Sequence, residues 1–478
     1  MTELHYLDAT TALRLFRSRE LSPVELLEAV AARTEAVNGG INALTETLFE
    51  EALPAARQAA ASYARGRDLA PLLGLPVAAK EKHGLKGRTL SQGLVARKGD
   101  RATADHPVIE RIRRAGGIIH ARTTTPEYSC ATVTHSPLWG VTRNPWNPRY
   151  SPGGSSGGSG AALAAGLAPL ATASDIAGST RLPASFTGTV GYKAPYGRIP
   201  GLAPLSADHY RGDGPMARTV ADTALLANVM AGRHPGDHTS LEGGLALSAA
   251  AAAAAGVAGL RIALCIRLGN YPVAADVEAN TRAVASALRT AGAVVEEIEL
   301  PWTTEDISRT MFTHFGYLLG PAMEDETAES PELLADYTRR FMADARKAAA
   351  ANRFIDGIRA ETRIQAELAA AMAGFDALVC PASAVAALDA DGMYLDGIET
   401  ADGVRLEHYW QGHMTAPFNI TNRCPVLAVP SGMADCGIPT GVQIVGHPFD
   451  DATVFTVGAA IEAVRPWAAR RPDLLVMS

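Results

Sequence analysis

The chain has 478 residues, 47% of them hydrophobic and 19% charged, enough apolar material for a sizeable core at about two to three times the length of a usual domain. Its formal charge of −7 gives no attraction for nucleic acid or for an anionic membrane surface. Five widely spaced cysteines (Cys130, Cys265, Cys380, Cys424, Cys436) without a C-x-x-C pair, and twelve histidines without H-E-x-x-H, point to reduced thiols and to no metal site.

The opening MTELHYLDAT carries acids and no apolar h-region, and no run of about eighteen apolar residues follows anywhere. A cytoplasmic location is therefore expected. Ser22, Pro23 and Glu25 form a capping box ahead of the helical period VELLEAVAARTEAV, a helix that covers the core. Residues 73–83, LGLPVAAKEKH, read as a buried strand that ends on Lys80 and runs into Glu81, Lys82 and His83. Lys82 shares the face of Lys80 if the strand continues and turns away if it does not. GGIIHAR is a second strand, and ARTTTPEYSC (121–130) offers Tyr128 and Cys130 as pocket-lining or packing residues.

Residues 151–198, SPGGSSGGSGAALAAGLAPLATASDIAGSTRLPASFTGTVGYKAPYGR, are dense in glycine and serine but return to small apolar residues that can pack, unlike a polar linker. Small residues leave backbone N–H groups accessible, and such groups stabilise oxyanions. No Walker A pattern is present, and a G-x-G-x-x-G register from Gly158 puts Leu163 where the last glycine belongs. Gly153–Gly157 satisfies G-x-S-x-G in form, but the preceding RNPWNPRYSP, with three prolines, is no buried strand for a nucleophile elbow.

Further along, LRIALCI, AVVEEIEL and ALVCPA are strand-like and DVEANTRAVASALRTAG (276–292) is helical, an alternation that predicts an α/β sandwich with a mixed sheet. LEGGLALSAAAAAAAGVAG (241–259) reads as a surface helix or loose connector, and the acidic MEDETAESPELLAD (323–336) as a lid or solvated loop. Phe315, Tyr317, Tyr409 and Trp410 suit a pocket for an aryl or alkyl group or plain core packing.

The 151–198 stretch, the lysine element at 73–83, GPMARTVADTALLANVMAG (214–232), FDALVCPAS (375–383), PVLAVPSG (425–432) and GIPTGVQIVG (437–446) occur in the order of, and together resemble, the amidase signature family. The resemblance covers nearly the whole chain. It implies one domain over 1–478, an α/β/α sandwich with a central mixed β-sheet, a signature core at about 73–232 and a variable substrate-binding region at about 300–420. It also implies a cofactor-independent hydrolase of carboxylic amides with a Ser-Ser-Lys triad: Ser179 as nucleophile, Ser155 as bridging serine behind a cis peptide bond, and Lys80 as general base.

The oxyanion hole would be the backbone N–H groups of Ile176, Ala177, Gly178 and Ser179, with Ser156, Asp175 and Arg181 as supporting residues. Lys80 accepts a proton only when neutral, so burial must lower its pKa by several units. Ala177 stands where the family usually has glycine, which is tolerated if φ is negative and penalised if φ is positive. Asp175 and Arg181 either orient the loop or form an ion pair without a catalytic part. The partner implied is a small-molecule amide, with no nucleic acid or membrane, and a homodimer through the N-terminal helices is the assembly the resemblance allows. Two alternatives stay open: a glutaminase-type subunit of a tRNA-dependent amidotransferase, and an acyl transferase that passes the acyl group to an amine.

Overall fold

In a computed structural model that describes residues 3–474, eleven strands form one mixed sheet. The first two and last four positions of the expected 1–478 domain, including Met1 and Thr2 of the opening decapeptide, lie outside the described residues. In chain order the strands are β1 (Leu44–Thr47), β2 (Pro76–Lys80), β3 (Ile118–Thr123), β4 (Leu170–Asp175), β5 (Val190–Lys193), β6 (Gly212–Ala217), β7 (Arg261–Leu264), β8 (Val294–Glu297), β9 (Ala377–Pro381), β10 (Val426–Met433) and β11 (Pro439–Gly446). Across the sheet they run β1-β3-β2-β4-β6-β5-β10-β11-β9-β7-β8. The β3-β2-β4 and β9-β7-β8 neighbours are parallel, and the remaining pairs are antiparallel.

Helices cover both faces, as the burial of both sides of the central strands requires. The alternation along β11 shows it. Gly441 and Gln443 face the helix Arg181–Thr187, where a Cβ on Gly441 would meet Ser185 at 2.9 Å and Gln443 accepts from Arg181, while Ile444 faces Gly458 of the helix Asp451–Val464 on the other side. The alternation of elements predicted an α/β sandwich with a mixed sheet, and the α/β/α form is the one the resemblance implied.

The capping box is in place: Ser22 Oγ accepts from the Val24 N–H at 3.2 Å and Glu25 accepts from the Ser22 N–H at 2.7 Å, and the helix Pro23–Ile41 buries Leu26, Leu27 and Val30. The alanine run is an exposed helix, Ala249–Ala255, capped by Ser248. The acidic 323–336 piece is not a solvated loop. It ends the helix Leu319–Thr327, passes a short turn and opens the helix Asp336–Ala351, whose Tyr337, Phe341 and Ala345 supply the apolar face that holds it down.

Of the four aromatic residues singled out in 300–420, Phe315, Tyr409 and Trp410 are core and Tyr317 is not. Phe315 and Trp410 pack against Phe341 with ring centroids 5.5 Å and 5.6 Å away, Tyr409 is buried beside them, and Tyr317 is at the surface with its hydroxyl donating to the Asn352 carbonyl at 2.7 Å. The cause is helix packing: Gly316 lets the helix Thr304–Tyr317 sit against Asp336–Ala351 so closely that a Cβ there would lie 2.2 Å from the Ala345 carbonyl oxygen. Among the described residues no helix is long and apolar enough to cross a membrane.

Candidate active site

All five residues of β2 are buried, so its last side chain, Lys80, enters the protein with no exposure to water. The Lys80 N–H donates to Thr172 Oγ1 at 2.9 Å, and Nζ lies 2.7 Å from Ser155 Oγ, 3.0 Å from Ser156 Oγ and 3.1 Å from Ser174 Oγ. Three hydroxyls and no carboxylate surround this amino group. Burial pushes the Lys80 pKa well below its ordinary value, and the Lys82 charge pushes it the same way; Asp213 and Asp175 pull back. The strand stops at Lys80, yet Lys82 lines the recess that holds Ser155, close enough for its charge to act on Lys80.

Ser155 follows a cis Gly154–Ser155 peptide bond and is wholly buried at the head of the helix Gly157–Ala164. The glycines around it serve close approach. A Cβ on Gly158 would meet Thr124 Oγ1 at 2.3 Å and the Thr124 backbone nitrogen at 2.5 Å, so this helix can lie against the end of β3 only without a side chain there. Ser156 then joins the two serine segments: its N–H donates to the Ser179 carbonyl at 3.1 Å, and its Oγ accepts from the Ser174 N–H at 3.3 Å.

Beyond β4 the chain turns through Asp175–Arg181. Asp175 Oδ1 accepts from the Gly178 N–H at 2.7 Å and Oδ2 accepts from the Thr180 N–H at 3.2 Å. Burial alone would raise the Asp175 pKa, but the Arg181 guanidinium outweighs it and holds the carboxyl at about 2. Arg181 donates to both Asp175 oxygens (3.0 and 2.9 Å), to the Thr415 carbonyl (2.8 Å), to Gln443 Oε1 (2.6 Å) and to Asn419 Oδ1 (2.6 Å). Every direction of the guanidinium fork is used. Through Asp175 the pair is bonded to the backbone of the loop at Gly178 and Thr180.

The oxyanion hole is smaller than the one expected from the sequence. The Gly178 N–H is spent on Asp175 and cannot also meet an oxyanion, which leaves the N–H groups of Ile176, Ala177 and Ser179 without a protein partner among the described residues. The carboxylate wins because it is charged and three residues back in a tight turn. Ala177 lies outside the positive-φ region and carries its methyl without strain; Gly178 takes that conformation instead, at φ 124°. A Cβ on Gly178 would come within 2.0 Å of Thr415 Oγ1, which donates to the Ala177 carbonyl at 2.6 Å. Gly178→Ala should therefore push the loop away from Thr415 and misalign the neighbouring N–H groups, lowering turnover by about 10²–10³, the scale of one misplaced donor, with the melting temperature of the purified variant measured alongside.

Ser155, Ser174, Asp175, Ile176 and Ser179 line one narrow recess of about 410 Å³, open mouth included. Tyr128 stands at this recess with its hydroxyl donating to Glu326 at 3.1 Å. Cys130 does not line it. Its thiol packs in the core 3.8 Å from Thr338 Oγ1, with its pKa raised by burial, because the turn at Tyr128 and Ser129 (φ 50° and 60°) rotates the next side chain inward. Thr172, Ser174, Thr415, Asn419 and Gln443 complete the surroundings and carried no signal beyond polarity inside apolar strands or helices. His83, His106 and Asp213 cluster behind the lysine, but their atoms are engaged: His83 bonds Thr172 at 2.8 Å and Asp213 at 2.9 Å, and His106 Nδ1 accepts from the Val108 N–H at 3.3 Å.

Residues 25–455 match the protein family described as Amidase. One subunit of the glutamyl-tRNA(Gln) amidotransferase of Chloroflexus aggregans is 34% identical, with 99% of each chain covered. An acylamidase from Rhodococcus erythropolis is also 34% identical, with 100% of each chain covered. Among solved structures, a bacterial aryl acylamidase of the amidase signature enzymes superposes with a TM-score of 0.88 at 26% identity, covering 97% of each chain.

Proposed function

The chain belongs to the Amidase family and is an amide hydrolase, and on that premise we propose that it cleaves linear carboxylic amides through an acyl-enzyme on Ser179. One observation carries the reading: a fully buried lysine whose Nζ is 2.7 Å from the hydroxyl of Ser155, at the floor of the recess that holds Ser179. A serine hydroxyl is a weak nucleophile until a base takes its proton, and a lysine serves as base only when held neutral.

In the first step Ser179 Oγ attacks the amide carbon while its proton passes to Ser155 and the Ser155 proton passes to neutral Lys80 Nζ. The N–H groups of Ile176, Ala177 and Ser179 receive the oxyanion. The C–N bond then breaks as Lys80, through Ser155, returns the proton to the departing nitrogen, and ammonia or an amine leaves. Water attacks the ester by the same proton route and frees the acid and Ser179. Ser156 holds the two serine segments together, Asp175 and Arg181 shape the loop, and the scheme needs no cofactor. Tyr128 borders the recess. The five cysteines are free thiols, which supports a cytoplasmic setting, and a homodimer remains the proposed assembly.

The test is ammonia release from acetamide, benzamide, indoleacetamide and glutamine, repeated with hydroxylamine. An acyl-enzyme predicts hydroxamate formed at the expense of acid. Acid alone in the presence of hydroxylamine would mean direct attack by water and no ester on Ser179. Efficient transfer to ordinary amines would favour the acyl-transferase reading, and silence of the isolated chain relieved by added subunits would favour the amidotransferase reading.

A further inference from the structure

The mouth of the recess is unusual in charge. Lys82 and Arg211 both line the recess that contains Ser179, and both also line the broader cleft, about 920 Å³ with its opening, into which the recess leads. Each is half-buried. Among the described residues neither side chain makes a hydrogen bond or an ion pair, although an arginine in a partly dry cleft ordinarily finds a carboxylate or carbonyl.

The acids nearby are already committed. Asp213 is bonded to His83 at 2.9 Å and lies 3.5 Å from His106. Glu326, across the cleft, is shared by Arg97 at 3.3 Å and the Tyr128 hydroxyl. Two like charges thus line one space, and neither is hydrogen-bonded to an acid there. Burial and the neighbouring Arg211 charge lower the Lys82 pKa to about 7, a cost that an anion placed between the two cations would relieve.

We propose that Lys82 and Arg211 form a carboxylate-binding subsite, and that the amides hydrolysed at Ser179 are acidic ones, carrying a carboxylate and no adjacent ammonium group. Lysine supplies a point charge and arginine a fork that grips a carboxylate through two parallel hydrogen bonds. The subsite lies beside the reacting carbonyl, so the carboxylate and the amide belong to one small molecule. It can be carried by the acyl part, as in the monoamide of a dicarboxylic acid, or by the leaving amine, as in an N-acyl amino acid. A free α-ammonium group would bring a third cation to the same space, so glutamine is a poor fit. The inference rests on the reading of Ser179 as nucleophile for the identity of the substrate, but the subsite can be tested without turnover.

Calorimetric binding to Ser179→Ala protein separates the two. Glutaramate, pentanamide and glutamine share a five-carbon acyl chain and differ in charge; N-acetyl-β-alanine and N-propylacetamide are the matched pair for the amine side. Glutaramate or N-acetyl-β-alanine should bind roughly 100-fold tighter than its neutral partner, and glutaramate tighter than glutamine. The preference should disappear in Ser179→Ala protein that also carries Lys82→Met and Arg211→Met, and persist with Arg211→Lys, which keeps the charge should the double variant fold poorly. Equal binding of acidic and neutral amides, or a preference that survives removal of both cations, overturns the subsite and leaves the hydrolase reading intact. Selective binding of acidic amides by a wild-type enzyme that turns over none of them supports the subsite and sinks the nucleophile instead.

Discussion

Ser179→Ala should abolish amide turnover, lowering kcat by about six orders of magnitude, the scale found when a serine hydrolase loses its nucleophile. The fold around it should not notice. The Ser179 hydroxyl supports nothing else in the protein among the described residues, while its carbonyl, which accepts from Ser156, and the Asp175–Arg181 network are unchanged by the substitution. A melting temperature within a few degrees of wild type is therefore expected, and a sulfonyl fluoride should add its mass to the wild-type chain and not to the variant. Residual activity above about one percent would place the nucleophile elsewhere, because loss of a merely supporting hydroxyl, as in Ser156→Ala, is the milder lesion.

Lys80→Met should cost about 10³–10⁴ in kcat through loss of the general base, and its effect on stability should depend on pH with a definite sign. In the folded protein Lys80 releases its proton well below the ordinary value of 10.5, whereas the unfolded chain holds it up to that value. Between the two the unfolded state binds one proton more, so this lysine makes the protein less stable than it would otherwise be, and the deficit shrinks as pH rises, by about 1.4 kcal/mol per unit at most. Below the folded value the deficit is constant and largest. Methionine removes the charge and, independently of pH, the bonds to Ser155, Ser156 and Ser174. Wild-type stability should therefore climb relative to the variant as pH rises from neutral towards 10.5 wherever pH exceeds the folded value. Parallel denaturation curves across that range would show that Lys80 is charged in the fold, and with it the mechanism would lose its base. In the wild type the same titration should appear as the acid limb of the pH–rate profile and be missing from whatever activity Lys80→Met retains.

Much of this site was legible because its chemistry sits in short segments whose spacing is itself a structural statement. The apolar run GLPVAAK specifies a strand buried on both faces, and a buried strand ending on lysine puts that lysine where water is not. The capping box at Ser22 was equally local. What the sequence could not convey was anything closed by distant partners. Thr415, Asn419 and Gln443 hold Arg181 from more than 230 residues away. The fate of the Gly178 N–H follows from where Asp175 points, and the inward turn of Cys130 follows from two left-handed residues that no motif announces. Phe315, Tyr409 and Trp410 illustrate the other limit, since aromatic side chains that could line a pocket and aromatic side chains that fill a core look alike until the helices carrying them are paired.

The Arg181 guanidinium also sets an order of events in time. Synthesis proceeds from the N-terminus, and a chain extended only as far as residue 300 already contains Lys80, Ser155 and Ser179. It lacks Thr415, Asn419 and Gln443, and so the Arg181 guanidinium has three of its five hydrogen bonds unmade. The reactive turn cannot settle until β10 and β11 have been made and inserted beside β5. Hydrolytic competence is thus among the last properties the growing polypeptide acquires, and an incomplete chain is spared the reactivity of the finished one.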